Sequence, residues 1–221
     1  MIKPYYDTSG DGVRVAQPLF PVEGQGSIPM SPLQLNIEAL DLKTALEINR
    51  AWHSRLPLLP YSTVIRKHGI AFGATYLNVY FAVAIWSTPC ARMLDNGFTY
   101  ELRRMAICNN APKNTASRMI SIMCKILKKK THYCRLISYQ DTEVHTGTIY
   151  KASGWIATNK SKTGFGWSNS KKKSKWAGRG LSNKEQSIAP KIRWEKQIRP
   201  ESTLNITIPK INKETQQLKL F

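Results

Sequence analysis

The chain of 221 residues is long enough for one medium-sized domain with flanking segments, and 42% of its residues are hydrophobic, enough to build a core. It contains no run of about 18 apolar residues, which excludes a transmembrane helix, and no secretory signal pattern, so we expect a cytoplasmic protein. Its formal net charge of +19 favours a polyanionic partner. Nucleic acid is a better candidate than an anionic membrane, because no basic amphipathic helix stands out.

Apolar periodicity and turn residues predict strands that alternate with helices along the middle of the chain. In chain order, the predicted elements are a strand over Gln34–Leu40, a helix from Leu42 to Leu56 capped by Asp41 and ended by Pro57, a hairpin of Ala71–Tyr76 and Val79–Ser87, a strand over Tyr100–Cys108, a helix over Ala116–Leu127, a strand over Tyr133–Gln140, a short helix over His145–Ser153 ended by Gly154, and a strand starting at Trp155. Strands interleaved with helices indicate an α/β fold with a mixed sheet.

Composition divides the chain into four parts. Residues 1–32 are rich in Gly, Pro and Ser and are predicted to be a flexible leader, and residues 33–158 hold the α/β core. Residues 159–200 form a basic extension with twelve Lys or Arg against two Glu, and residues 201–221 form a C-terminal tail. The positive charge is therefore concentrated behind the predicted core.

Four cysteines are spaced far apart, without any Cys-x-x-Cys pair: Cys90, Cys108, Cys124 and Cys134. Structural zinc sites need closely paired ligands, so this spacing argues against a metal site. In a cytoplasmic chain we expect all four to be reduced thiols of the core.

A polar loop, residues 109–117, connects the strand over Tyr100–Cys108 to the next helix. Its successive backbone N–H groups, helped by the helix dipole, suit it to hold an anion. This order of strand, loop, helix, strand and helix resembles the GNAT superfamily of N-acetyltransferases, in which the loop holds the pyrophosphate of acetyl-coenzyme A. Asn114 and Ala116 stand where that superfamily usually has glycine.

Three segments carry a closer resemblance: Glu101–Ile107, Ala111–Arg118 and Ser138–Tyr150. They are similar to the phage Mom-type proteins, and the similarity extends over about residues 42–195. The resemblance implies a GNAT-like acyltransferase fold and a role in DNA modification, in which a methylcarbamoyl group is placed on the N6 amino group of adenine and host restriction is blocked. The donor stays open between acetyl-coenzyme A and a related acyl or aminoacyl compound. Its phosphates would be held by Lys113, Asn114, Thr115, Ala116 and Ser117.

The same resemblance places Asp141, Tyr150 and His53 in the pocket. The Asp141 carboxylate would act as general base or orient the adenine amino group, Tyr150 would protonate a departing group, and His53 would lie at the mouth of the site. Each residue also has a structural interpretation: an N-cap for Asp141, a core aromatic with a satisfied hydroxyl for Tyr150, and a cationic last helical turn for His53. His145, on the first turn of the predicted short helix, suits proton transfer but is equally typical of a partly solvated polar position.

The basic extension interleaves cations with two tryptophans, in the set Lys171, Lys172, Lys173, Lys175, Arg179, Trp167 and Trp176. Cations can hold phosphates while aromatic rings stack on bases, so we interpret the extension as a nucleic-acid-binding segment. The alternative is a solvated basic loop whose tryptophans pack back onto the core.

These observations predict a phage-type enzyme that modifies the N6 amino group of adenine in double-stranded DNA. Two alternatives stay open. One is an acetyl-coenzyme A-dependent N-acetyltransferase that acts on another amine, and the other is a nucleic-acid-binding protein without catalytic activity. Modified nucleosides in cellular DNA distinguish the first interpretation, and binding of acetyl-coenzyme A distinguishes the second from the third.

Overall fold

The computed structural model describes residues 28–52, 59–142, 145–160 and 190–200, together with the backbone of residues 5–6 and 15–16. The helices and strands are, in chain order, β1 (Tyr5–Tyr6), β2 (Val15–Ala16), β3 (Asn36–Leu40), α1 (Leu42–Trp52), α2 (Tyr61–Arg66), β4 (Ile70–Tyr76), β5 (Val79–Ser87), β6 (Thr99–Ile107), α3 (Thr115–Lys130), β7 (Arg135–Asp141), α4 (Thr148–Ala152), β8 (Ile156–Lys160) and β9 (Lys191–Gln197). This arrangement confirms the predicted α/β class.

The main sheet has seven strands in the order β3-β4-β5-β6-β7-β9-β8, and β1 pairs with β2 separately. All neighbouring strands of the main sheet are antiparallel except β6 and β7, which are parallel. The parallel pairing covers only four residue pairs and ends at Leu102 and Ser138. Beyond that point β6 continues to Ile107 and β7 to Asp141. We call the gap where these two strands no longer pair with each other the β6–β7 opening.

Local sequence explains the first helix and the hairpin. The Asp41 carboxylate accepts a hydrogen bond from the Thr44 backbone N–H at 2.9 Å, which caps the start of α1 as predicted. The described part of this helix ends at Trp52, and the expected stop at Pro57 lies outside the described residues. Leu77 and Asn78 join β4 to β5 with φ angles of 47° and 62°. A two-residue hairpin turn with both φ angles positive matches the twist of its strands, so the predicted hairpin is confirmed.

Helices cover both faces of the sheet, and the alternation along β5 shows how. Ala82, Ala84 and Trp86 belong to the large cluster formed with α3, whereas Val83 and Ile85 pack with residues of α1 and α2. The apolar stripe of α3 is fully buried, as its periodicity predicts: Met119, Ile120, Met123 and Leu127. The central strands are therefore held between two layers of helix, and the core lies on both sides of them.

The segment after β7 differs from the prediction. The helix expected over His145–Ser153 is the shorter α4, Thr148–Ala152, because Gly147 immediately before it adopts a left-handed φ of 77°. His145 therefore precedes the helix rather than lying on its first turn. Asp141 is the last residue of β7 and is not an N-cap, since the helix begins seven residues later. Gly154, with φ of 71°, ends the helical segment as predicted.

Four elements were not predicted from the sequence: α2, β9, and the short strands β1 and β2, which pair within the expected flexible leader. Strand β9 lies between β7 and β8, so residues 191–197 of the predicted basic extension belong to the core sheet. Strand β8 likewise continues to Lys160, past the expected end of the core at residue 158. The boundary at residue 158 thus falls inside the sheet, and the role assigned to the rest of the extension stays a prediction.

The four cysteines are free thiols, and three of them are buried as expected. Cys90 is the exception, because it lies exposed in the turn after β5, where its backbone N–H donates to Glu101 Oε2 at 2.9 Å. Burial raises the pKa of the Cys124 thiol to about 11, which keeps it protonated and unreactive. Of the helices in the described ranges, none is both long and apolar enough to span a bilayer.

Candidate active site

Tyr150 reaches from α4 to the point where β6 and β7 separate. Its hydroxyl lies 2.9 Å from Ser138 Oγ, and Ser138 Oγ donates to the Leu102 carbonyl at 3.2 Å. Because the Ser138 proton is engaged by that carbonyl, the Tyr150 hydroxyl is the donor to Ser138. Leu102 and Ser138 are the last paired residues of the two strands, so the phenol stands at the base of the β6–β7 opening.

The Tyr150 ring is packed among aromatic neighbours and is only 5% exposed. It stacks on Trp194 with ring centroids 5.5 Å apart and an interplanar angle of 18°. Burial raises the pKa of the phenol, and its hydrogen bond with Ser138 offsets part of that effect. The phenol is therefore protonated at neutral pH, as a proton donor must be.

Gln140 fixes the loop between β7 and α4 against β9. Its Nε2 donates to the His145 carbonyl at 2.6 Å, and its Oε1 accepts from Trp194 Nε1 at 2.8 Å. Gly147 crosses this amide so closely that an added Cβ would lie 2.4 Å from Gln140 Oε1 and 2.7 Å from Trp194 Cζ2. Residues 145–147, which precede α4, are thus held against Gln140 and Trp194, next to Tyr150.

Charged and titratable groups surround the end of β7. The Asp141 carboxylate forms an ion pair with the Lys191 ammonium of the neighbouring strand β9. The His145 backbone N–H donates to the Asp141 carbonyl at 3.2 Å, and its ring lies 6.1 Å from that of Tyr150. Within the described part of the chain, His145 Nδ1 is buried without a hydrogen-bond partner. Burial lowers the pKa of His145, Asp141 raises it and Lys191 lowers it further, so the imidazole is neutral near pH 7.

The N-terminus of α3 faces the same end of the sheet, because α3 follows β6 and the two parallel strands end together. Asn114 precedes it with a φ of 68°, a left-handed conformation that Asn tolerates better than other side chains, which accounts for Asn where GNAT proteins usually have Gly. The Ser153 hydroxyl lies 3.0 Å from the Ser117 carbonyl and 2.7 Å from the Ile149 carbonyl, so its single proton is shared between the first turn of α3 and its own helical segment. The loop predicted to bind an anion and Tyr150 are therefore neighbours in the fold.

This N-terminus fits the phosphates of a coenzyme A-type donor. The first N–H groups of a helix have no acceptor within the helix and carry its positive dipole end. Lys113 and Asn114 are exposed beside them, whereas Thr115 and Ala116 are buried. The Ser117 hydroxyl donates to the Asn114 carbonyl at 3.1 Å, which makes it a backbone-bound first-turn residue. Arg118 Nη1 is buried with no hydrogen-bond partner among the residues described, so it is available to donate to a bound anion.

Comparison with known protein families decides the classification. The model of the Mom protein family matches residues 34–210. The chain belongs to the Mom protein family. No curated protein matches it.

Solved structures show that this Mom-family protein has the GNAT acetyltransferase fold. An N-acetyltransferase from Staphylococcus aureus Mu50 superposes with a TM-score of 0.53 at 11% identity, over 74% of this chain and 97% of that one. The ribosomal-protein-alanine N-acetyltransferase from Brucella melitensis gives 0.53 at 12% identity, over 74% and 99%. A putative acetyltransferase from Salmonella typhimurium, solved with acetyl-CoA, gives 0.53 at 9% identity, over 76% and 96%.

The structure brings some of the predicted Mom-type site residues together. Asp141, Tyr150 and the segment Lys113–Ser117 lie at one end of the sheet. Alternation along β7 turns the Asp141 side chain to the face opposite Ser138 and Gln140, and therefore opposite Tyr150. His53 and the predicted nucleic-acid-binding residues lie outside the described residues, and their roles stay predictions: Lys171, Lys172, Lys173, Lys175, Arg179, Trp167 and Trp176.

Three residues of this site were missed by sequence reasoning. Ser138, Gln140 and Trp194 position Tyr150 or the His145 loop. Ser138 and Gln140 are two apart on a buried strand, so both face the same side of the sheet, a pattern that marks polar residues inside a core. Trp194 alternates with charged residues in β9, and that alternation was the available signal for a half-buried strand.

Beyond its last pairing with β7, β6 carries Arg103 and Arg104. Arg103 Nε lies 3.4 Å from Glu101 Oε1, which neutralises that buried carboxylate. Arg104 pairs with Ile85 on the α1 side of the sheet, and its Nη1 donates to the Arg103 carbonyl at 2.8 Å. Burial lowers the pKa of Arg104 to about 10, which leaves it a cation at neutral pH. The β6 wall of the opening is therefore positively charged.

Proposed function

We propose that this Mom-family protein is a transferase that modifies the N6 amino group of adenine in DNA. The observation that carries the proposal is the Tyr150 phenol at the base of the β6–β7 opening, hydrogen-bonded to Ser138 and adjacent to an anion-binding helix N-terminus. A donor bound there supplies the acyl-type group, as acetyl-coenzyme A does for a GNAT enzyme. Lys113–Ser117 and Arg118 hold its phosphates.

The chain's own residues then do three things in this proposal. The Tyr150 phenol, protonated at neutral pH, turns its proton from Ser138 to the departing group as the adenine nitrogen bonds to the acyl carbon and the bond from that carbon to the departing group breaks. The Asp141 carboxylate orients the adenine amino group and accepts the proton that its nitrogen loses. The packed rings of Tyr150 and Trp194 keep water away from the base of the opening.

DNA is the acceptor that fits the charge and the topology. The net charge of +19 favours a polyanion. Register pairs Asp141 with Lys191 and Ile192 with Lys160, so the two ends of the basic segment, residues 161–189, both leave the sheet beside Asp141. The strand ends that flank that segment, Lys160 and Lys191, therefore lie at the end of the sheet where the proposed acceptor enters. The target adenine must leave the duplex stack to enter, which costs a few kcal/mol.

A second candidate is an N-acetyltransferase that acts on another amine. The fold it shares with solved N-acetyltransferases favours it, because the Tyr150 and α3 arrangement serves any amine acceptor. The two candidates separate on the acceptor: acetylation of a protein or small amine without change to DNA would support this one.

The proposal is tested by mass spectrometry of nucleosides from the DNA of cells that express the protein. A new adenosine derivative is expected with the wild-type protein and not with Tyr150→Phe, which removes only the hydroxyl. Resistance of the same DNA to some restriction enzymes is expected in parallel. An unchanged nucleoside profile with soluble wild-type protein would refute the proposal.

A further inference from the structure

Lys191 is the first residue of β9 and lies directly across from Asp141 in the sheet register. Its ammonium forms an ion pair with the Asp141 carboxylate. Neither side chain is fully buried, with 32% of Lys191 and 18% of Asp141 exposed. The pair is therefore accessible to solvent at the end of β7, one of the two strands that bound the β6–β7 opening.

The backbones of both partners are fixed around the pair. Thr142, next to Asp141, is bound to the residue before β9. Its hydroxyl and its backbone N–H both donate to the Pro190 carbonyl, at 2.8 and 3.4 Å. On the other side the His145 N–H holds the Asp141 carbonyl. Two rigid strands thus bring one cation and one carboxylate together, which is how a supporting residue fixes a functional group.

We propose that Lys191 is a positioning residue that holds the Asp141 carboxylate, charged and oriented, at the acceptor side of the β6–β7 opening. This inference rests on the proposed function. Lys191 also follows the basic segment directly, so the residue that orients the acceptor group is joined to the segment proposed to hold DNA. The alternative role for Lys191 is a direct contact with a DNA phosphate. Removal of Lys191 should lower kcat if it positions Asp141, and should raise the KM for DNA if it contacts phosphate.

Loss of the ammonium should affect turnover rather than DNA affinity. In Lys191→Gln, we expect kcat for adenine modification to fall at least about tenfold, since misplacement by about 1 Å can cost about 10²-fold. The KM for DNA should match that of Lys129→Gln, a control that removes the same charge from the exposed last turn of α3. The acidic limb of the rate–pH profile should move to higher pH, because a nearby cation favours the charged form of a carboxylate. Lys191→Arg keeps the cation and should restore most of the rate.

A spectroscopic measurement reports on the same pair without turnover. The groups that face His145 are Asp141 from β7, Lys191 from β9 and Tyr150 from α4, and Lys191 lowers the pKa of His145. Loss of that cation in Lys191→Gln should therefore raise the NMR titration midpoint of the His145 imidazole. The His132 resonance, at the far end of the sheet beside Gly97, serves as the internal reference.

The outcomes separate the inference from the proposed function. Wild-type protein that leaves DNA unmodified would overturn both. With an active wild type, three results for Lys191→Gln would overturn the inference alone: an unchanged kcat and pH profile, a raised KM with unchanged kcat, or loss of folding by circular dichroism. The first would show no role, the second a phosphate contact and the third a structural ion pair. Folding should survive, because a partly exposed ion pair contributes little to stability.

Discussion

Gly147 offers a quantitative test of how tightly the site loop is built. Its φ of 77° is left-handed, and an added Cβ would lie 2.4 Å from Gln140 Oε1 and 2.7 Å from Trp194 Cζ2. Gly147→Ala therefore adds two costs to the folded state. The left-handed conformation costs a non-glycine residue about 1–2 kcal/mol, and overpacking a filled site typically costs about 1–3 kcal/mol. The Gln140 amide cannot move aside cheaply, because both of its ends are hydrogen-bonded.

A second glycine, at the other end of α4, separates these two costs. Gly154 has almost the same conformation, φ 71°, but its added Cβ would meet only the flexible end of Lys196, with Nζ at 3.4 Å. Gly154→Ala should therefore lose about 1–2 kcal/mol, from backbone strain alone. Gly147→Ala should lose about 2–5 kcal/mol, the sum of strain and overpacking.

The free energy of unfolding of both variants is measured by urea denaturation, followed by tryptophan fluorescence, with linear extrapolation to water. Gly147→Ala should also change the Trp194 environment and lower the modification rate, because the same contact positions the His145 loop. Neutral surface substitutions usually change the free energy of unfolding by no more than about 0.5 kcal/mol. If the free energies of unfolding of Gly147→Ala and Gly154→Ala agree within that range, Gly147 is not closely packed against Gln140 and Trp194.

Three further perturbations have defined outcomes. Asp41→Ala removes the cap on the Thr44 N–H and should lower the free energy of unfolding by about 1 kcal/mol, measured in the same urea assay; no change would contradict the capping role. Tyr150→Phe loses one hydrogen bond with Ser138, so it should cost stability about 1 kcal/mol yet abolish modification of DNA; retained activity would show that the phenol is not the proton donor. Replacing four lysines together by Gln should reduce the slope of log affinity for duplex DNA against log salt by about 3 to 4 in fluorescence anisotropy, and an unchanged slope would show that they do not contact phosphate. These lysines are Lys171, Lys172, Lys173 and Lys175.

The elements that the sequence predicts well are those whose pattern is local. The buried stripe of α3 recurs at helical spacing, and the β4–β5 hairpin is marked by aromatic and β-branched residues on both sides of Leu77 and Asn78. The cap at Asp41 is likewise a contact within one turn. Such features depend on residues a few positions apart, so no knowledge of the rest of the fold is required.

Features that depend on distant residues were missed or misplaced. Strand β9 is rich in charged residues, so its sequence does not look like a core strand although Ile192 and Trp194 face inward. Its first residue, Lys191, pairs with Asp141, which is 50 residues away in the chain. The start of α4 depends on Gly147, whose left-handed conformation is imposed by packing against Gln140 and Trp194 rather than by its neighbours. For the same reason Asp141 and Tyr150 could be placed in one site only through a family resemblance, whereas Ser138 and Lys191 carry no local signal of their contacts.

The position of β9 inside the sheet has a consequence for how the protein is made. Until residue 197 has been synthesised, β7 and β8 have no strand between them, and β7 is joined to the sheet by only four residue pairs with β6. The unfinished chain then exposes strand edges that invite wrong pairing, and its completion waits for contacts between distant residues, which form slowly. Tyr150 also lacks the Trp194 ring during this time. A prematurely terminated product would thus carry most of the basic segment without an assembled site, able to associate with polyanions but not to act on them.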